Sequence, residues 1–224
     1  LPAPVFEPLT DKLYESKLIY HSPTFGDEVR TFCMNPNGEV VQENYNGIST
    51  VNGHSYAEKT TNNTNFALLV SEKFTEPFKE PIQYGQHIAR LANMLGGGIL
   101  VQRFGDLLDG RRSTPERIKS SVLTPTLTCA TPGDLSLVIP YRQMTSIIEM
   151  LYALDKICPG TASRYTLLYG IEVKFYSARV KLTNELETEG VKNLFTIGDG
   201  AGVTRGLIQA SASGVHVART ICSR

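Results

Sequence analysis

Apolar residues change their spacing along the chain, and each change predicts a different kind of element. Thr31-Phe-Cys-Met34 and Glu39-Val-Val-Gln42 are β-prone runs on either side of Asn35-Pro36-Asn37-Gly38. Asn37 and Gly38 tolerate the positive φ that tight turns need, so a hairpin is expected there. Asn46-Gly47 and Asn52-Gly53 repeat the turn signal, and Phe66-Ala-Leu-Leu-Val70 supplies a buried strand. The first third therefore reads as a turn-rich, mostly antiparallel sheet. Ahead of it, Pro2, Pro4 and Pro8 predict an extended lead-in.

From Pro81 the spacing becomes helical. Ile82, Ile88, Leu91, Ala92 and Leu95 form one stripe that stops at Gly96-Gly97-Gly98, where a helix stop is favoured over a phosphate cradle. A second stripe follows Pro140, through Met144, Ile147, Ile148, Leu151 and Leu154, and Cys158-Pro159-Gly160 ends it. The intervening Arg111–Pro140 stretch is rich in Thr, Ser and Pro and predicts a surface path. Leu167–Leu182 reads as one long or two short strands around Gly170. Asn193–Ile197 then predicts a short buried strand, Gly198–Gly202 a tight turn and Leu207–Ile221 a helix.

These elements define an α+β fold: a mixed, largely antiparallel substrate domain with packed helices over residues 1–190, then a closing strand-turn-helix over residues 191–224. Charge narrows the function classes. With 22 basic and 22 acidic side chains the formal net charge is +0, which argues against nucleic acid as a partner. No apolar run is long enough to predict a membrane span. Cys33, Cys129, Cys158 and Cys222 show no C-x-x-C spacing, so the expectation is a reduced, cytoplasmic chain, with two disulfides as the alternative. No His or Cys pair has metal-ligand spacing, and no metal is expected.

The glycine turn carries the most specific chemistry. Glycines at 198, 200 and 202 remove the Cβ atoms that would hold a ligand away from the backbone. The helix that follows aims its positive end and unpaired N–H groups at the same place, which suits an anionic or electron-rich group. Asp199 adds an acceptor for a sugar or ribityl hydroxyl. Gly198-x-Gly200 reaches Val203 and Gly200-x-Gly202 reaches Arg205 where a dinucleotide fingerprint would place glycine. A complete Rossmann unit also needs a strand with an acidic residue about 20 positions beyond its turn, and the chain ends within that distance. A structural αβ turn is the competing reading of these glycines.

With those residues in view, the chain resembles the FAD-dependent dehydrogenases, also described as NAD-utilizing dehydrogenases. The matching segments are Thr31-Phe-Cys-Met-Asn-Pro-Asn-Gly38, Val51-Asn-Gly-His-Ser55, Gln102-Arg-Phe-Gly-Asp106, and Gly198-Asp-Gly-Ala-Gly202 with Arg205-Gly206. The departures are Met34 to Gly38, where that pattern has a second Cys and a second Gly, and Ser177-Ala178, where it has Ser-Pro. The resemblance implies FAD in a full-length parent, with NAD(P)H as electron donor and an unidentified small-molecule substrate. It implies that Gly198, Asp199, Gly200, Ala201, Gly202, Arg205, Gly206 and Leu207 line the cofactor. It also implies that the partner closing this site is the N-terminal FAD-binding half of the same parent. Leu1-Pro2-Ala3-Pro4 has no initiator Met and no signal segment, so a fragment, inactive by itself, is expected. Apolar surface left uncovered would favour its homodimerisation.

Catalytic residues stay open. Cys33 is a thiol candidate or a small buried apolar residue. His54 sits in a polar turn, while His87 and His216 are expected to be partly buried on helices. Arg111-Arg112 either grip an anionic substrate or solvate a turn, and Glu172 and Arg179 lie on the strands leading to the glycine turn. The alternative to a flavoenzyme fragment is a non-enzymatic ligand- or protein-binding module with a structural glycine turn.

Overall fold

The computed structural model describes residues 1–13, 16–58, 61–174, 179–204 and 206–224. They fall into two compact units, Leu1–Val173 and Lys174–Arg224. Helices and mixed sheets make the chain α+β. No described helix is long and apolar enough to cross a membrane.

The first unit opens with helix α1 (Ala3–Thr10), where an extended segment is expected. Pro2 caps the helix and Pro4 lies in the first turn, where no N–H is required, so that of the three prolines Pro8 alone, inside the helix, removes a backbone bond. Burial of Phe6, fully inaccessible and 4.8 Å from the Phe66 ring centroid, holds this short helix in place. Strands β1 (Ile19–His21), β2 (Glu28–Asn35), β3 (Glu39–Tyr45), β4 (Ile48–His54) and β5 (Asn65–Val70) follow. The expected turn at Asn35–Gly38 is present, with Asn37 at φ 51° and the Gly38 N–H donated to the Asn35 carbonyl at 3.3 Å. The expected hairpin across it is not. β2 pairs with β1 and β5, whereas β3 pairs with β4 as a separate ribbon. The hairpin lies one turn later, closed by Asn46 (φ 51°) and Gly47 (φ 79°), both in the left-handed region that matches strand twist.

Helix α2 (Pro81–Gly96) ends as expected at left-handed Gly97. It buries Ala89 and Ala92, with Ile88 and Leu91 packed alongside, but leaves Ile82 and Leu95 exposed. Strand β6 (Leu100–Arg103) is covered through Gln102 and runs straight into the short helix α3 (Phe104–Leu108). The 111–140 stretch does not wander over the surface. It forms helix α4 (Pro115–Lys119), strand β7 (Thr131–Pro132) and a 3-10 turn at Leu135–Leu137, burying Ile118, Leu123, Leu135 and Val138. The polar composition is misleading there because Ser113 is also buried, as part of a hydrogen-bond network.

Helix α5 (Tyr141–Asp155) and strand β8 (Leu167–Gly170) complete the first unit. β8 ends at Gly170, and no second strand follows among the described residues up to Leu182. β6 pairs with β7 in parallel and with β8 antiparallel, a mixed sheet. α5 joins two cores. Met144 and Leu151 pack with Leu100, Phe104 and Leu135, while Met150 and Leu154 pack with Val29. Its N-terminal end is fastened by Arg142, which donates from Nε and Nη2 to Asp27, and by Ser146, which donates to the same carboxylate at 3.2 Å.

In the second unit the expected strand at Asn193–Ile197 is absent. Phe195 makes one isolated bridge with Glu187, and Leu194 and Ile197 stand 46% and 47% exposed. Left-handed Asn193 (φ 60°) interrupts an extended run, and one bridge does not bury it. A 3-10 turn at Asp199–Ala201 and helix α6 (Leu207–Cys222) close the chain.

Candidate functional site

The motif glycines in the first unit are close-approach positions. A Cβ on Gly53 would lie 2.1 Å from both Asn35 Nδ2 and Asn65 Oδ1, the pair of amides that hydrogen-bond to one another at 3.0 Å. A Cβ on Gly38 would lie 2.3 Å from the His54 carbonyl oxygen. Asn35 also donates to the carbonyl of Cys33, which sits at φ 44° in the irregularity of β2. The segments around residues 31–38 and 51–55 thus meet in space and need glycine to do so. Cys33 itself is half-buried.

The Gln102–Asp106 segment builds a second knot. Gln102, wholly buried, donates to the Arg111 carbonyl at 2.9 Å and to Asp134, and accepts from the Leu135 N–H at 2.8 Å. Asp106, 1% exposed, accepts from Ser113 Oγ at 2.8 Å, from Arg111 Nε at 3.1 Å and from Arg117 Nη1 at 3.1 Å. Gly105 admits the Arg164 backbone, whose carbonyl accepts its N–H at 3.0 Å. Arg164 also pairs with Asp109, and that contact, with Arg111 and Arg117 nearby, holds the Asp109 carboxyl below its ordinary range. The sequence singled out Arg111-Arg112 and, separately, the Gln102–Asp106 segment, but not that Arg111 pairs with the buried Asp106. The spacing of Asp106, Arg111, Ser113 and Arg117 follows neither helical nor strand periodicity, because a loop brings these residues together.

In the glycine turn, Gly198 (φ 71°) donates its N–H to Ser213 Oγ of α6 at 2.9 Å, tying the turn to the helix. Asp199 is exposed and accepts from Thr204 Oγ1 at 2.5 Å. Ala201 is buried, its carbonyl accepting the Val180 N–H at 3.3 Å, and Gly202 takes φ 73°. Gly200 is exposed, and a Cβ placed on it would meet nothing within 4 Å. Gly206 is the N-cap of α6, with no side-chain cap, and Leu207 is the first helical residue. Arg205, expected beside these residues, and Ser177-Ala178 lie outside the described residues.

Helix α6 buries Ser213 and Val217 on one side. Ile208 and Val215 on its opposite side are 80% and 52% accessible, and Ile221 near its end is 52% accessible. This arrangement suits an anionic or hydroxyl-bearing group. It offers an uncapped helix start, an exposed carboxylate and a turn residue without a side chain to obstruct approach.

Other candidates take ordinary places. His87 and His216 are exposed, not partly buried, with His216 Nε2 3.1 Å from the Asn184 carbonyl oxygen. His54 is exposed and meets the Tyr56 ring edge-on. Glu172 is half-buried and Arg179 exposed. All four cysteines are free thiols, and burial pushes the Cys158 thiol up. Among the described residues no cluster of His, Cys, Asp or Glu could hold a metal.

Residues 11–175 match the family described as FAD-dependent protein, C-terminal domain-like, and the chain belongs to that family. It is also 32% identical over 220 residues to an uncharacterized protein of Clostridium beijerinckii, covering 93% of this chain and 40% of that relative. The chain thus spans less than half of the relative it matches.

Proposed function

We propose that the chain is the C-terminal portion of a longer FAD-dependent oxidoreductase of the NAD-utilizing dehydrogenase type, with NAD(P)H as electron donor and a small molecule as acceptor. FAD supplies reversible two-electron chemistry when bound. The observation that carries the reading is the Gly198–Gly202 turn running into α6, with its uncapped start and exposed Ile208 and Val215. Residues 191–224 act as the closing element of the flavin domain and residues 1–190 as the substrate domain. Asp199 binds the ribityl or phosphate portion, while the backbone of Gly198, Gly200, Ala201 and Gly202 lines the cofactor. Arg205, Gly206 and Leu207 approach the ring, and the helix start stabilises negative charge that accumulates there on reduction. The remainder of the parent provides the pyrophosphate-binding half, and this chain alone is inactive and retains little FAD.

Gly200 gives the sharpest test, because a Cβ added there meets open space. Gly200→Val in the longer protein is expected to abolish flavin absorbance after desalting while leaving the far-UV circular dichroism and melting temperature unchanged. Full flavin content in the variant would overturn the placement. Stoichiometric retention of FAD by the present chain would overturn the division of the site.

A further inference from the structure

We propose that the surface carrying Arg111, Arg112 and Arg117 binds a phosphate-bearing small molecule, independently of the flavin reading. Arg111 Nε and Arg117 Nη1 both donate to the same oxygen of buried Asp106, at 3.1 Å each. Arg111 and Arg164 likewise share Oδ2 of Asp109. The three guanidinium groups are thereby held in a chain, yet their side chains remain 46%, 37% and 56% exposed for Arg111, Arg117 and Arg164. A guanidinium has five N–H donors, and Nη1 of Arg111 with Nε and Nη2 of Arg117 make no protein hydrogen bond among the described residues.

Charge points the same way. Arg103, whose guanidinium lies over the Tyr165 ring and donates to the Arg117 carbonyl, adds a fourth cation. Arg112, next to Arg111 in sequence, is exposed and makes no hydrogen bond or ion pair among the described residues. The acids paired with these groups are Asp106 and Asp109. Four cations, Arg103, Arg111, Arg117 and Arg164, against two acids leave a local excess of two, in a chain whose 22 basic and 22 acidic residues otherwise cancel. A phosphate dianion matches that excess, and its oxygens suit planar forks fixed in advance, whose ordering entropy is already spent on Asp106 and Asp109.

The test is isothermal titration of the chain with inorganic pyrophosphate at low ionic strength, alongside Arg112→Gln and Arg117→Lys. The lysine variant keeps the charge and loses the fork. Saturable binding near one site per chain is expected, weakened about tenfold by either substitution, the scale of one charge-assisted hydrogen bond. Circular dichroism checks the fold of each variant, and if Arg117→Lys is unfolded the exposed Arg112→Gln alone decides. NADPH binding more tightly than pyrophosphate would support a nucleotide as the phosphate source, and equal binding would support a simple phosphate compound. No saturable heat, or unchanged affinity in a folded Arg112→Gln variant, overturns the proposal.

Discussion

The two compact units differ in how much apolar core they build. In Leu1–Val173, Phe6, Ile99, Phe104, Leu135 and Leu154 are at most 1% exposed, and α5 joins the cluster of Phe104 and Leu135 to that of Leu154. In Lys174–Arg224, Val191, Leu194, Ile197, Ile208, Val215 and Ile221 are all between 46% and 80% exposed. The first pattern is that of a domain that stabilises itself, and the second is that of a surface suited to covering by further protein. The contrast also divides the chemistry. The first unit satisfies a buried carboxylate internally, while the second offers backbone and carboxylate groups outward.

The heaviest blow to this contrast is Phe104→Ala, which empties the centre of the larger core. A loss of about 3–5 kcal/mol is expected in urea unfolding. Next is Gly53→Ala, which drives a methyl into the Asn35–Asn65 amide pair and should destabilise by about 1–3 kcal/mol, as overpacked sites do. Acid should act through the fastenings of α5. The Arg142 guanidinium holds the Asp27 carboxyl below its ordinary range, and hydrogen bonds from Ser22 and Thr24 do the same for Glu149. Because these folded-state values are depressed, their contribution is complete above the unfolded values of about 3.9 and 4.3, and is lost as pH falls through the lower folded values. Unfolding free energy measured against pH should therefore fall below about pH 4, and less steeply in Arg142→Gln. The smallest effect is expected from Ile208→Lys. In this chain it should shift stability by no more than about 0.5 kcal/mol, since the side chain is already in water. A loss of several kcal/mol there would show that the α6 surface is packed within this chain.

Local signals were legible in the sequence where a single element settles them. The stripes of α2 and α5 and the low-breaker run of α6 identify helices because an apolar face every 3.6 residues has few other solutions. Turn chemistry located Asn35–Gly38 and Asn46-Gly47 but could not say which strands each turn joins. β2 takes β1 and β5 as partners, a choice made by Val29 packing on Met150 and Leu154 far along the chain. Proline rules misjudged α1, because a buried Phe6 outweighs the loss of one backbone bond. The glycine turn was visible as a motif. The Gln102–Asp106 segment was visible as a motif too, but its network was not, because Arg111, Ser113 and Arg117 come from a stretch whose composition resembles a surface loop.

Gln102 has a consequence for motion. Its amide closes the loop at the Arg111 carbonyl and the 3-10 turn at the Leu135 N–H, so neither can open without stripping hydrogen bonds from a side chain that water does not reach. In deuterium exchange the Leu135 amide should therefore trade its proton only in rare, large openings, as slowly as the strands on either side. A stretch of serines, threonines and prolines would then keep time with the core.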